Sequence, residues 1–169
     1  MLLPPRPLLR LAMTAAQHIR RAFWFVTRPK AFGVHAVALT PAGKVVLVRH
    51  TYANGWRLPG GGIGRREEPL AAILRELEEE IGLERWGKVS RIVDFEHRPD
   101  FRRGHGTLFR VDGIAYRPRR SIEIDEIAEF DPAGLPLEAT PFTREMIAEA
   151  LSAGASEATE SIAKTPGKG

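Results

Sequence analysis

Glu76, Glu79 and Glu80 stand at i, i+3 and i+4 in a stretch that reads as a helix, and the triplet Gly60-Gly61-Gly62 precedes them. At about 100° per residue, with Glu76 at zero, Glu80 falls near +40° and Glu79 near −60°. Leu70, Leu74, Leu77 and Ile81 gather between roughly 100° and 160°, so one face reads as acid and the other as core. Carboxylates crowded together repel one another, and a cation among them removes that cost. Hard oxygen donors favour Mg²⁺ or Mn²⁺ over metals that prefer softer ligands. The three glutamates alone do not decide the matter. An exposed helix carries the same spacing in water at a cost of about 0.2–0.5 kcal/mol per pair.

The wider pattern is more specific. Counting from Gly61, five residues lead to Glu67 and seven more to Arg75-Glu76-Leu77; Glu79-Glu80, one residue, Gly82 and the aliphatic Leu83 complete it. These 23 residues resemble, position for position, the signature of the Nudix hydrolases, and looser similarity extends from about Phe32 to Leu151. The resemblance implies an α/β fold, an α/β/α sandwich with a mixed central sheet. It also implies a divalent-metal-dependent hydrolase of phosphoanhydride bonds in nucleotides. In that family the positions of Glu79 and Glu80 are metal ligands, that of Glu76 is a ligand or general base, and the carbonyl at the position of Gly60 is often a further ligand. Arg75 is expected to support Glu67, since its planar donor fork orients a carboxylate without competing for metal. The expected catalytic set is therefore Glu76, Arg75 and Glu67, and the metal set is Gly60, Glu76, Glu79 and Glu80.

Substrate identity is less legible. Pro99 lies 16 residues beyond Leu83, a placement seen in family members that cleave ADP-ribose, so the expected substrate is a nucleoside diphosphate linked to another moiety, of the ADP-ribose or nucleotide-sugar type. Two alternatives stand beside it: a MutT-like nucleoside triphosphate pyrophosphohydrolase, and a non-catalytic nucleotide-sensing domain. Arg49, at the end of an apolar strand-like run, Arg57, beside the glycine triplet, and Phe101, in the basic loop 98–105, are the candidates for substrate contact. Many relatives use one more acid outside the box; Glu96, Glu123, Asp125, Glu126 and Glu129 all qualify, and the sequence does not choose among them.

The elements that must position these groups follow from periodicity. Residues 32–40 and 44–50 read as a hairpin around Pro41-Ala42-Gly43, with Val45-Val46-Leu47-Val48 apolar enough for a strand covered on both faces. The helix opens near Glu67 to Pro69 and stops at Gly82. Strand-like runs recur at 89–96, 106–111 and 121–130, and 141–151 reads as a second amphipathic helix packed on the sheet.

A chain of 169 residues suits one domain with residues to spare, placed here at 31–152. With no cysteine, neither a disulfide scaffold nor a thiolate metal site is available. The net charge of +4 hides an uneven distribution, since residues 1–66 hold eleven Lys or Arg and no Asp or Glu. A basic half beside an acidic, metal-loaded helix suits a small polyanionic nucleotide; no nucleic-acid partner is expected, because no binding motif or interleaved aromatic-basic repeat is present. Residues 1–30 read as a basic amphipathic helix. Arginines interrupt any secretory or membrane-spanning run, which leaves packing on the domain, packing on a partner subunit in a homodimer, or peripheral contact with an anionic membrane. A cytoplasmic location and a disordered tail over 153–169 complete the expectations.

Overall fold

The computed structural model describes residues 31–97, 104–118 and 122–163. The N-terminal segment 1–30, Pro99, Phe101 and most of the basic loop thus lie outside the described residues. The order of elements is β1 (Ala31–Leu39), β2 (Val45–His50), β3 (Gly60–Gly62), α1 (Pro69–Ile81), β4 (Leu83–Arg85), β5 (Val89–His97), β6 (Gly104–Asp112), β7 (Ala115–Tyr116), β8 (Ile124–Phe130), a 3₁₀ turn at Pro132–Gly134, and α2 (Pro141–Ala163).

Strands β5, β6, β1, β2 and β8 lie side by side in that order, with β3 also pairing β1, and β4 and β7 form a separate two-stranded ribbon. The main sheet is mixed. β1 runs parallel to β6 in an unbroken register from Ala31↔Gly104 to Leu39↔Asp112, while its pairings with β2 and β3 are antiparallel. β1 is therefore the strand on which the glycine triplet is mounted.

Strand alternation distributes the core to the two faces. Val34, Ala36, Ala38, Val46 and Val48 pack with Ala72, Ile73, Leu77 and Ile81 of α1. Val37, Leu39, Val45 and Leu47 pack with Met146, Ile147 and Ala150 of α2. All four residues of the run Val45 to Val48 are fully buried, as a strand between two helical layers requires. Among the described residues no helix is long and apolar enough to cross a membrane.

Both helices show their stop and start signals. Pro69 occupies the first turn of α1, and Gly82, at φ 74°, turns its N–H back to the Glu78 carbonyl at 3.1 Å. Thr140 Oγ1 accepts from the Thr143 N–H at 3.2 Å at the head of α2. Two details differ from expectation. Leu70, placed on the core stripe by its angle, is 48% exposed in the first turn. Helical backbone also runs to Ala163, past the expected end at Leu151 and into the stretch read as tail. That stretch is rich in alanine and holds no proline before Pro166, so Gly154 alone, at about 1 kcal/mol, opposes the helix.

Leu77 has no exposed surface and joins α1 to the sheet. Leu77→Ala is expected to lower the unfolding free energy by roughly 2–5 kcal/mol, measured by urea denaturation.

Candidate active site

Arg75 organises the approach to α1. Its Nε and Nη2 donate to the two oxygens of Glu67 at 2.9 and 3.1 Å, and Nη2 also donates to the Gly62 carbonyl at 3.0 Å. Nη1 donates to Glu76 Oε1 at 2.9 Å and to Glu79 Oε2 at 3.3 Å. Glu67 in turn accepts from the Gly64 N–H at 2.7 Å. One guanidinium therefore ties the loop and the helix together. Its hydrogen bonds, with help from the Gly64 amide, hold Glu67 below the usual carboxylate range, and those same carboxylates raise Arg75.

Glu80 has a different environment. Only 7% of it is exposed, and its Oε2 accepts from the Gly60 N–H at 2.9 Å. Burial is the main cause that pushes its carboxyl up to about 8; the Gly60 amide opposes that shift, and the charges of Glu76, Glu123 and Glu79 add to it. Glu76 is also raised, first by burial and against the pull of Arg75. The buried residues of α1 are Ala72, Ile73, Leu77, Glu80 and Ile81. By angle these span roughly −40° to 140°, so Glu80 lies within the buried arc and not opposite the core. The expected division into an acid face and a core face is corrected accordingly: the helix presses Glu80 toward β3 and leaves Glu79 outward.

The glycine triplet makes this approach possible. Gly60 has φ 147°, and a Cβ there would run into the Val34 carbonyl and His35 backbone. A Cβ on Gly61 would stand 2.6 Å from the Glu76 carboxyl group. Backbone and carboxylates thus meet at a distance that only glycine permits.

Glu123 is the acid outside the helix whose charge reaches both Glu76 and Glu80. Its carbonyl accepts from the Thr51 N–H at 2.9 Å, where β2 ends beside β8. Of the other four acids, Glu126 pairs with Arg49 at 3.2 Å, Glu129 accepts from the Tyr116 hydroxyl at 3.1 Å, and Glu96 lies 3.8 Å from His105 Nδ1. Asp125 does not enter the charge balance of Glu76 or Glu80. Only the pairing of β2 with β8, distant in sequence, singles out Glu123.

The candidates for substrate contact separate in space. Arg57 is exposed on the strand-like segment paired with Val48, and its charge reaches His50. Arg49 stacks over Trp56 at 4.6 Å, and Trp56 belongs to the α2 layer. Its side chain is thus directed to the sheet face opposite α1, following the alternation from Val48.

The donor set fits a divalent cation. It offers hard oxygens only, one carboxylate is buried at the cost of its charge, and the Gly61 cradle holds a second close to backbone. Among the described residues no three acidic or histidine side chains converge as a ready ligand group, because Arg75 holds Glu76 and Glu79 while the Gly60 amide holds Glu80.

Comparison with known proteins gives the family. Residues 29–150 match the family described as NUDIX domain. An RNA pyrophosphohydrolase of Acidiphilium cryptum (strain JF-5) is 31% identical over 116 residues, covering 64% of this chain and 71% of that protein. An RNA pyrophosphohydrolase of Pseudomonas paraeruginosa is 43% identical over 51 residues, 30% of this chain and 32% of that protein, so this match spans about a third of each. Among solved structures, a MutT NUDIX hydrolase from Burkholderia pseudomallei superposes with a TM-score of 0.63 at 21% identity, covering 72% of this chain and 98% of that one. A MutT protein from Methanosarcina mazei Go1 gives 0.62 at 16% identity, over 75% and 96%. At these identities the two structures attest the fold alone.

His50 closes β2. Its Nδ1 is buried with no hydrogen-bond partner among the described residues, and burial followed by the charge of Arg57 pushes the imidazole down to about 4. The folded state thus binds this proton less readily than the unfolded chain, so stability present above pH 6.5 is lost as pH falls toward 4. Between pH 7.5 and 5 this group is expected to remove up to about 2 kcal/mol. His50→Gln should flatten that part of the stability profile, measured by urea unfolding at a series of pH values.

Proposed function

The chain belongs to the Nudix hydrolase family as a pyrophosphohydrolase, and on that premise we propose that it cleaves the phosphoanhydride of a nucleoside diphosphate linked to a second moiety, of the ADP-ribose or nucleotide-sugar type. The observation that carries the site assignment is the approach of buried Glu80 to the Gly60 amide and of Glu76 to Gly61, with Arg75 joining Glu76 to Glu67 and Glu79. The position of Pro99 supports the substrate class. Glu76, Glu79, Glu80 and the Gly60 carbonyl are the residues that would hold Mg²⁺ or Mn²⁺. When bound, the ion supplies charge neutralisation at the phosphoryl oxygens and a nucleophile at neutral pH.

The chain's own groups have separable tasks. Arg75 and Glu67 fix the loop against the helix, so that Glu76 is aimed before substrate arrives. The Gly60 N–H holds the orientation of Glu80. Glu76, or Glu123 whose charge reaches it, takes the proton of the attacking water. Arg57 is available to the substrate phosphates, and the excess of basic residues in the first 66 positions favours a polyanion.

A second reading has its own support. The relatives named RNA pyrophosphohydrolase favour a pyrophosphate bond carried by RNA, and a MutT-like triphosphate substrate belongs to the same reading. Product identity separates the two. ADP-ribose should yield AMP and ribose phosphate, whereas a triphosphate end should release pyrophosphate, in a panel assayed with Mg²⁺ and with Mn²⁺. On the preferred substrate, Glu80→Gln should lower turnover by orders of magnitude with folding retained by circular dichroism; an unchanged rate would overturn the assignment of Glu80. Glu123→Gln should lower kcat more than KM if Glu123 is the base, and leave both unchanged if Glu76 alone serves.

A further inference from the structure

Glu76, Glu79 and Glu80 each have one carboxylate oxygen committed to an N–H donor. Arg75 Nη1 donates to Oε1 of Glu76 at 2.9 Å and to Oε2 of Glu79 at 3.3 Å, and the Gly60 N–H donates to Oε2 of Glu80 at 2.9 Å. The other oxygen of each, Oε2 of Glu76 and Oε1 of Glu79 and of Glu80, makes no hydrogen bond to a described residue. The same division into one capped and one open oxygen thus recurs at every carboxylate of the site.

The division is held in place from both sides. Arg75 Nε and Nη2 are tied to the two oxygens of Glu67, and Nη2 also to the Gly62 carbonyl, so the planar guanidinium keeps Nη1 turned to the helix glutamates. On Glu76, a Cβ built on Gly61 would stand 2.6 Å from Cδ and from each oxygen, so the carboxyl group lies face-on against that glycine. Turning it about the Cγ–Cδ bond would drive an oxygen toward the glycine backbone, and its two oxygens do not trade places. Glu80 is held by its place in the buried arc of α1.

A carboxylate binds a cation through one oxygen or through both. To use both, the ion must stand close to each oxygen, and the donor on the capped oxygen then faces that ion. With Arg75 as the donor this brings two positive charges together at short range, where their repulsion is steep. The amide of Gly60 opposes the same approach at Glu80 with the smaller charge of a peptide dipole. Binding through one oxygen meets neither obstacle. Ca²⁺ takes many oxygens in flexible geometry, often two from one carboxylate, whereas Mg²⁺ takes fewer in near-octahedral geometry and keeps several waters. Mn²⁺ accepts the same octahedral oxygen set as Mg²⁺.

We propose that Arg75, with the Gly60 amide, limits Glu76, Glu79 and Glu80 to one metal-binding oxygen each, and that this limit selects Mg²⁺ and Mn²⁺ against Ca²⁺. Three carboxylates alone would suit Ca²⁺ as well, so the choice lies in the donors that cap them and not in the number of acids. Arg75 is then a specificity-determining residue for the metal as well as the tie between loop and helix. This inference rests on the metal-dependent hydrolase reading and deepens it.

The test is metal binding by the full chain without substrate, so that turnover plays no part: Mn²⁺ is followed by electron paramagnetic resonance and displaced by Mg²⁺ or by Ca²⁺. In the wild type Mg²⁺ is expected to displace Mn²⁺ at lower concentration than Ca²⁺ does. Arg75→Leu frees one oxygen on Glu76 and one on Glu79, and should raise the affinity for Ca²⁺ relative to Mg²⁺ by roughly tenfold or more. Arg75→Lys keeps a positive charge without the fork, and should give a ratio between those of the wild type and Arg75→Leu. If Arg75 served the loop alone, its loss would weaken both metals together and leave the ratio where it was. An unchanged ratio in Arg75→Leu that keeps the wild-type circular dichroism, or Ca²⁺ held as tightly as Mg²⁺ by the wild type, overturns the proposal and leaves the hydrolase reading untouched. Should Arg75→Leu not fold, an unchanged ratio in Arg75→Lys overturns it in the same way. Mn²⁺ bound no more weakly by Glu80→Gln than by the wild type overturns the metal-site reading, and this inference with it.

Discussion

A single guanidinium sets the geometry on which the rest of the site depends. Polar groups join the helix to the glycine strand: the Gly60 amide meets Glu80, and Arg75 reaches the Gly62 carbonyl. Arg75 does so through Glu67 on one side, Glu76 and Glu79 on another, and the Gly62 carbonyl on a third. A lysine in its place would offer charge without the planar fork. The constraint is directional: Glu67 is tied twice, once by Arg75 and once by the Gly64 amide, so the loop cannot slide along the helix without breaking both.

Glu80 follows from that arrangement. With the loop fixed, the Gly60 amide meets a carboxylate which the helix has carried into the buried arc. Burying a carboxylate is expensive, and one amide does not fully offset it, as its raised proton affinity records. The same force that packs Ile73 and Leu77 on the sheet therefore keeps an acid where its charge is unwelcome without a cation. Packing and chemistry draw on one helix, and they are in tension at one residue.

Much of this was legible in the sequence because the relevant spacings are local. The helix limits at Pro69 and Gly82, the buried run Val45 to Val48 and the hairpin all rest on neighbours within about two turns or one strand; the pairing of Arg75 with Glu67 follows from the family resemblance. What failed to show was what depends on distant pairing. Helical angles place Glu80 beside Glu76, yet only the position of β3 reveals that both lie toward the sheet and that Leu70 does not. Arg49 is a candidate because its strand borders the substrate cleft in the family the chain resembles, and strand alternation directs its side chain to Trp56. Glu123 carries no local signal at all, and it emerges from the register between β2 and β8.

The burial of β2 has a consequence for how the chain reaches this state. Val45-Val46-Leu47-Val48 is apolar, β-branched at three of four positions and uncharged, which are the properties of a segment prone to intermolecular pairing. In the native protein it is shielded by β1 and β8 at its edges and by a helical layer on each face. During synthesis only β1 precedes it, since α1, β8 and α2 all follow it in the chain. Lys44 and Arg49 bracket the run with positive charge, the placement that discourages like strands from stacking. Arg49, whose guanidinium stacks over Trp56 in the folded chain, thus stands with Lys44 as one of two charges flanking this strand until the helices that cover it are made.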